Sequence, residues 1–295
     1  MTVKKIIAPV LIAFLTVLYI LSFLLSFRGE KKYPEMETAL LNSQYKESLS
    51  EIQISSKNSA IILENKGDFW EGRAVSNGDS CSMDYIFPAD TSIVERNVER
   101  LQKIIKIQKV SDNKKRLSNF GLDDENAVRI SYSVKNGVTG DFSVGKTDFS
   151  QRARYIVLQN YEGIFKTDLD FGELLYTAAR QWYDPYIIPR SLFQSGDEIL
   201  HARIQKDSSR FVYTPKNSES DRRLLELRHG SLGTWQEREV EMTIVFEMTS
   251  GELLTLDFAH ADDDVVVRTR LANLDFEYCY HISEWTYKNI LETVL

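Results

Sequence analysis

The sequence predicts an α+β protein: an N-terminal transmembrane helix followed by two similar antiparallel strand-meander halves, each closed by a helix. Three observations predict it. Residues 6–27 run for 22 positions without a charge. Beyond residue 49, short Ile- and Val-rich segments alternate apolar and polar side chains, the pattern of half-buried strands. A stretch near the middle of the chain then recurs close to its end.

The uncharged run comes first. At about 1.5 Å per residue it would span roughly 33 Å, enough for a hydrocarbon core of about 30 Å. Lys4 and Lys5 precede it, and Arg28, Lys31 and Lys32 follow. A cleaved signal peptide is the competing reading, but its apolar region is usually shorter and ends in small residues. Here the run ends Leu24-Leu25-Ser26-Phe27. The organisation expected is a cytoplasmic tail (1–5), a transmembrane helix (6–27), a juxtamembrane stalk (28–48), a first α+β repeat (49–190) and a second, shorter one (191–295). The expected localisation is the inner (cytoplasmic) membrane, single-pass, with the soluble domain extracytoplasmic.

Within the first repeat, Ile52 and Ile54 mark one strand and residues 61–63 the second arm of a hairpin leading to Trp70. Ser92 and Glu95 form a capping box, with Asp90 and Thr91 as alternative caps. Val94, Val98, Leu101 and Ile105 then make one apolar helical stripe.

The repeat pairs residues 127–175 with 240–291. A shift of 114 residues carries Ile130, Tyr132 and Val134 onto Ile244, Phe246 and Met248, and Asn136-Gly137 onto Ser250-Gly251. It also carries Val144 onto Phe258 and Arg154 onto Arg268. With one residue of slack, Phe165 meets Tyr278 and Asp170 meets Ser283, two good helix caps. Phe171, Leu174, Leu175, Ala178, Ala179 and Trp182 then read as one closing helix, and Tyr287, Ile290, Leu291 and Val294 as the other. Between the halves, residues 182–189 carry three aromatics and two prolines. Their plain role is to pack the halves together. As an exposed aromatic contact, Trp182, Tyr183 and Tyr186 are the candidate partner surface.

Composition excludes some functions. A net charge of −7 argues against a nucleic-acid partner, which needs a basic face. Two cysteines, Cys81 and Cys279, exclude a disulfide scaffold and a multi-cysteine metal site, and nothing brings them together. Residues 140–147 (GDFSVGKT) satisfy the phosphate-loop pattern, which requires a helix to start at the Gly-Lys. Phe142 and Val144 alternate as a strand inside it, so it reads as a false match. His260 and the aspartates after it lack calcium-loop spacing and read as a solvated turn. Cys279 and His281 share one strand face without a third group. No catalytic, cofactor or metal-ligating set is therefore expected.

In order, these pieces are Trp70, Phe87-Pro88-Ala89-Asp90 before a helix, Phe120-Gly121-Leu122-Asp123, Val144-Gly145-Lys146, Tyr155-Ile156-Val157 and Ile164-Phe165-Lys166. The series resembles the bacterial domain-of-unknown-function family numbered 4340, well over residues 50–185 and by repeat pattern beyond. That family is often encoded beside ABC transporter subunits and carries no established active site. The resemblance implies a non-enzymatic, membrane-tethered extracytoplasmic auxiliary protein of an ABC-type transport system, with transporter membrane or auxiliary subunits as partners. The alternatives are an extracytoplasmic polymer- or lipid-binding module and an envelope hydrolase without a recognisable motif.

Overall fold

The computed structural model describes residues 14–20, 35–76, 84–192, 197–216, 218–261, 264–272 and 277–295. Among them, period-two alternation builds seventeen strands in two antiparallel sheets. The first half contains β1 (Glu35–Thr38), β2 (Leu49–Ser55), β3 (Ser59–Asn65), β4 (Trp70–Ser76) and β5 (Tyr85–Pro88). Helix α1 (Thr91–Gln102) follows, then β6 (Ile105–Ser111), β7 (Val128–Val134), β8 (Thr139–Thr147), β9 (Arg154–Leu158) and β10 (Ile164–Thr167). The second half contains β11 (Ile199–Lys206), β12 (Ser209–Tyr213), α2 (Glu219–Glu226), β13 (Ser231–Gly233) and β14 (Met242–Met248). It ends with β15 (Leu253–Ala261), β16 (Asp264–Leu271), β17 (Glu277–Ser283) and α3 (Glu284–Val294).

The sheet orders are β1-β6-β10-β9-β8-β7-β2-β3-β4-β5 and β12-β11-β14-β15-β16-β17-β13. Inside the first lies β3-β2-β7-β8-β9-β10-β6, strand for strand the order of the second. The registers agree from β3 through β2 and β7 to β8, while β8–β9 and β15–β16 are offset by two residues. Ile130 faces Phe142 as Ile244 faces Leu256, and Ile156 faces Phe165 as Thr269 faces Tyr278. Ile54 lies between Ile61 and Ile130 as Ile204 lies between Phe211 and Ile244. Even the irregularity recurs, between Leu49 and Glu51 on one side and Ile199 and His201 on the other. Because one slipped residue turns every side chain to the opposite face, matching registers mean matching cores. One pairing expected from sequence does not hold: where the second half has Arg268, pairing with β10 puts Tyr155 and pairing with β8 puts Val157, not Arg154.

These observations correct the expected fold class. The protein is mostly antiparallel β with a few short helices. The first half does not close with a helix: residues 171–182 form 3-10 turns, Gly172–Leu175 and Ala179–Gln181. Gly172 sits at φ +52°, outside right-handed helical space, and its N–H is taken by the Asp170 carboxylate. Phe171, Leu174 and Trp182 are nonetheless buried, so the stripe marked a core-facing segment of the wrong type. In the second half Ser283 does cap α3, accepting from the Thr286 N–H. At α1 the cap is Asp90, whose carboxylate accepts from Ser92 and Ile93, and Val94, Val98 and Leu101 turn inward.

The expected membrane anchor is corrected as well. Of residues 6–27 only 14–20 are described, as a helix with exposed side chains; the rest of the run lies outside the described residues. Among the described residues no helix is long and apolar enough to cross a membrane. The single-pass anchor and inner-membrane localisation are therefore set aside. The stalk is also partly structural, since Glu35–Thr38 pairs with β6 and Leu41 is fully buried under α1, donating to the Leu101 carbonyl.

The halves are stitched by their connector. Asp90 donates to the Trp182 carbonyl and Asp184 to that of Pro88, while Ile187 donates to Leu227 and His229 to Pro185. Ala89 bridges Tyr183 on one side and Tyr186 bridges Arg228 on the other. An aromatic row crosses the seam: Phe87 meets Tyr183 edge-on, Tyr183 meets His229, and His229 stacks on Tyr280 at 4.6 Å. Phe69, from the first half, packs in the second core, and Leu232 packs against the first.

Candidate functional site: a cationic cleft in the first half

In each half a segment leaves the strand beside the last strand of the meander, β6 or β13, and runs back to β7 or β14. In the first half this is residues 112–127. It carries the 3-10 turn Lys114–Phe120, ended by Gly121 at φ +65°. Phe120 packs edge-on against Tyr155. A Cβ on Gly121 would lie 3.0 Å from the Lys146 nitrogen, and one on Gly145 would lie 2.3 Å from the Phe120 carbonyl oxygen. Two glycines thus let this strap seat against the end of β8. In the second half the corresponding strap lays Trp235 over Arg268, with the guanidinium 4.4 Å from the ring centre.

Beside the first strap the ends of β7, β8 and β9 and the turn Gly172–Leu175 leave a cleft of about 540 Å³. Its lining is Ser118, Gly121 and Asn126 from the strap, Val128, Val144, Gly145, Lys146 and Arg154 from the strands, and Leu175 and Tyr176 from the turn. Lys146 is exposed, and Arg154 is half-buried with one N–H donated to the Gly145 carbonyl at 3.0 Å. Neither cation is paired with a carboxylate among the described residues. Asp123, on the strap, is spent on its own loop, accepting from the backbone of Glu125 and Asn126 and from the Asn126 side chain. The volume lies in the range of small-molecule sites, about 300–1,000 Å³. Two cations, a hydroxyl, an amide and an apolar wall with the exposed Tyr176 ring can hold an anion bearing an apolar body.

The phosphate-loop pattern is strand throughout: residues 140–147 belong to β8, and no helix begins at Gly145-Lys146. Its Gly-Lys end still reaches the cleft, by a geometry unrelated to that loop.

The connector residues are placed differently from a free aromatic surface. Trp182 is fully buried and donates its Nε1–H to the Tyr176 carbonyl, so it offers nothing to a partner. Tyr183 is half-buried and donates its hydroxyl to the Gly230 carbonyl. Tyr186 is half-buried, with the guanidinium groups of Arg190 and Arg228 at 4.0 and 5.3 Å from its ring centre. The carboxylate of Asp184 accepts from Tyr186 and Ser191, and burial raises its pKa. Burial lowers the pKa of His229 to about 4.

Elsewhere several reactive or charged groups are engaged. The buried Asp257 accepts from Thr243, Arg268 and Arg270. Burial pushes the Cys279 thiol up to about 12, which removes thiolate at neutral pH. The other cysteine, Cys81, lies outside the described residues, as do Asp262 and Asp263 of the acidic turn. His260 has Glu241 on Nδ1 and Glu284 on Nε2, each at 2.7 Å.

A family model described as a domain of unknown function (DUF4340) matches residues 82–243, more than half of the chain. The chain belongs to this family. The matched segment runs from before α1 to the start of β14, so it holds the whole cleft and the connector, while His260 and Glu284 fall beyond it. No curated protein and no solved structure matches the chain.

Proposed function

We propose that the protein is a non-enzymatic auxiliary component of an ABC-type transport system, acting as a ligand-binding module whose site is the cleft at Lys146 and Arg154. The observation that carries the binding role is the pair of cations, unpaired with any carboxylate among the described residues, in an open cleft with an apolar wall. Charges left without an internal partner are available to a ligand's charge. The family's frequent neighbourhood with ABC transporter genes supports the transport setting. The non-enzymatic reading rests on how the reactive side chains are held. The Cys279 thiol is buried and quiet, His229 is buried beneath aromatics, and Asp257 is neutralised by two arginines.

Affinity capture at native expression level, with identification of what co-purifies, tests the transport setting. A transporter subunit should be enriched. If the protein purifies without one, or turns over a substrate by itself, the auxiliary reading is wrong.

A further inference from the structure

The duplication provides an internal counterpart of the cleft. The hairpins β7–β8 and β14–β15 share one register, with Val128 facing Val144 and Met242 facing Phe258. By count along the strand, Lys146, two residues past Val144, matches His260, two past Phe258, and both are exposed; β8 differs in carrying a bulge between Val144 and Thr147 that β15 lacks. In the second half this position is closed from within. Glu241 and Glu284 hold the two imidazole nitrogens at 2.7 Å. The ring of Tyr287 meets His260 edge-on at 5.5 Å and lies against Phe258 at 5.6 Å. Glu284 and Tyr287 both belong to the start of α3.

The first half lacks all three groups. Ala127 stands immediately before β7, where Glu241 stands immediately before β14. The turn Gly172–Leu175 stands where the second half has α3, and the match of Asp170 to Ser283 puts the buried, apolar Phe171 and Leu174 where Glu284 and Tyr287 stand, so neither a carboxylate nor a phenol is supplied there. What remains is a cation, Lys146, a second cation, Arg154, and an apolar wall of Val128, Val144 and Leu175 with the exposed Tyr176 ring at its side.

We infer that the cleft takes an organic carboxylate with an aromatic or apolar body, which supplies from outside what Glu241, Glu284 and Tyr287 supply within the second half. The carboxylate lies at Lys146 and Arg154, and the body lies along Val144, Leu175 and Tyr176. Arg154 gives one N–H to the Gly145 carbonyl and keeps others for the ligand. The inference rests on the cleft being a ligand site and adds the ligand's class.

Titration calorimetry on the full chain at low ionic strength separates the two claims, with phenylacetate, phenylacetamide and inorganic phosphate as probes. Phenylacetate should bind one to one, and phenylacetamide should bind at least about tenfold more weakly, because it has the ring without the charge. Lys146→Gln should weaken phenylacetate by about tenfold or more while circular dichroism and the unfolding midpoint stay unchanged, since this side chain is exposed. Phosphate binding that depends on Lys146, without phenylacetate binding, would leave the anion site standing and overturn the carboxylate class. If neither anion binds, or Lys146→Gln and Arg154→Gln leave phenylacetate affinity unaltered, both claims fail.

Discussion

Replacing Trp182 by alanine is expected to lower the unfolding free energy by about 3–5 kcal/mol, the usual cost of truncating a fully buried aromatic. Trp182 is completely buried and heads the largest enclosed side chains of the molecule. Its removal empties a volume between α1, the first core and the connector. It also orphans the Tyr176 carbonyl, which accepts the indole N–H at 3.0 Å. The same residue's backbone carbonyl receives the Asp90 N–H, and Asp90 caps α1, so relaxation around the cavity would disturb a helix start. Equilibrium unfolding in urea measures the loss. Trp182→Phe should recover part of it, because it restores volume without the hydrogen bond. A change below about 1 kcal/mol would mean that the connector is not part of the core.

The second large effect concerns pH. His229 is buried, stacks on Tyr280 and packs against Tyr183, and its Nε2 lies 2.9 Å from the Asp184 carbonyl. Burial lowers its folded pKa to about 4 from an ordinary value of 6.5. With the folded value below the unfolded one, the contribution to stability is complete above pH 6.5 and is lost as pH falls toward 4. Across that window the loss is on the order of 3 kcal/mol. Asp184, whose pKa is raised by burial, acts in the opposite sense. Its contribution is complete below the unfolded value of 3.8 and declines as pH rises through the folded value, so it offsets part of the effect. His229→Gln keeps an N–H donor and removes the titration. Unfolding free energies measured between pH 7 and pH 4 should therefore fall steeply for the wild type and less for the variant. Parallel curves would contradict the assignment to His229.

The strands were legible because alternation is a local signal. Met242, Ile244, Phe246 and Met248 all turn inward along β14, and the Gly137 and Gly251 turns both adopt positive φ, +83° and +84°. The helices were less legible. An apolar spacing of three and four is produced by successive 3-10 turns as readily as by a helix, and residues 171–182 took the turns because Gly172 departs from helical space. Sheet order was out of reach, since β2 and β7 pair across more than seventy intervening residues, as at Ile54 and Ile130.

The site was legible only in fragments. The phosphate-loop pattern drew attention to Gly145 and Lys146 for a reason the strand removes. Counting matches Arg154 to Arg268, whereas pairing with β10 puts Tyr155 and pairing with β8 puts Val157 in that position, and Arg154 lies at the sheet end. Of the strap residues, Gly121 is marked only as part of the Phe120-Gly121-Leu122-Asp123 motif, and Ser118 and Asn126 carry no signal, because what matters is that two glycines let the strap seat on β8. The aromatic connector did carry one, as packing between the halves.

One fold is repeated, with its cationic end closed by Glu241, Glu284 and Tyr287 in the second half and open at Lys146 in the first. Amide chemical-shift mapping during a phenylacetate titration of the full chain tests this most directly. Saturable shifts are expected at Ser118, Gly121, Gly145, Lys146, Arg154 and Tyr176, with Glu241, His260 and Glu284 unmoved. Shifts centred on His260, or spread without saturation over both halves, would contradict it.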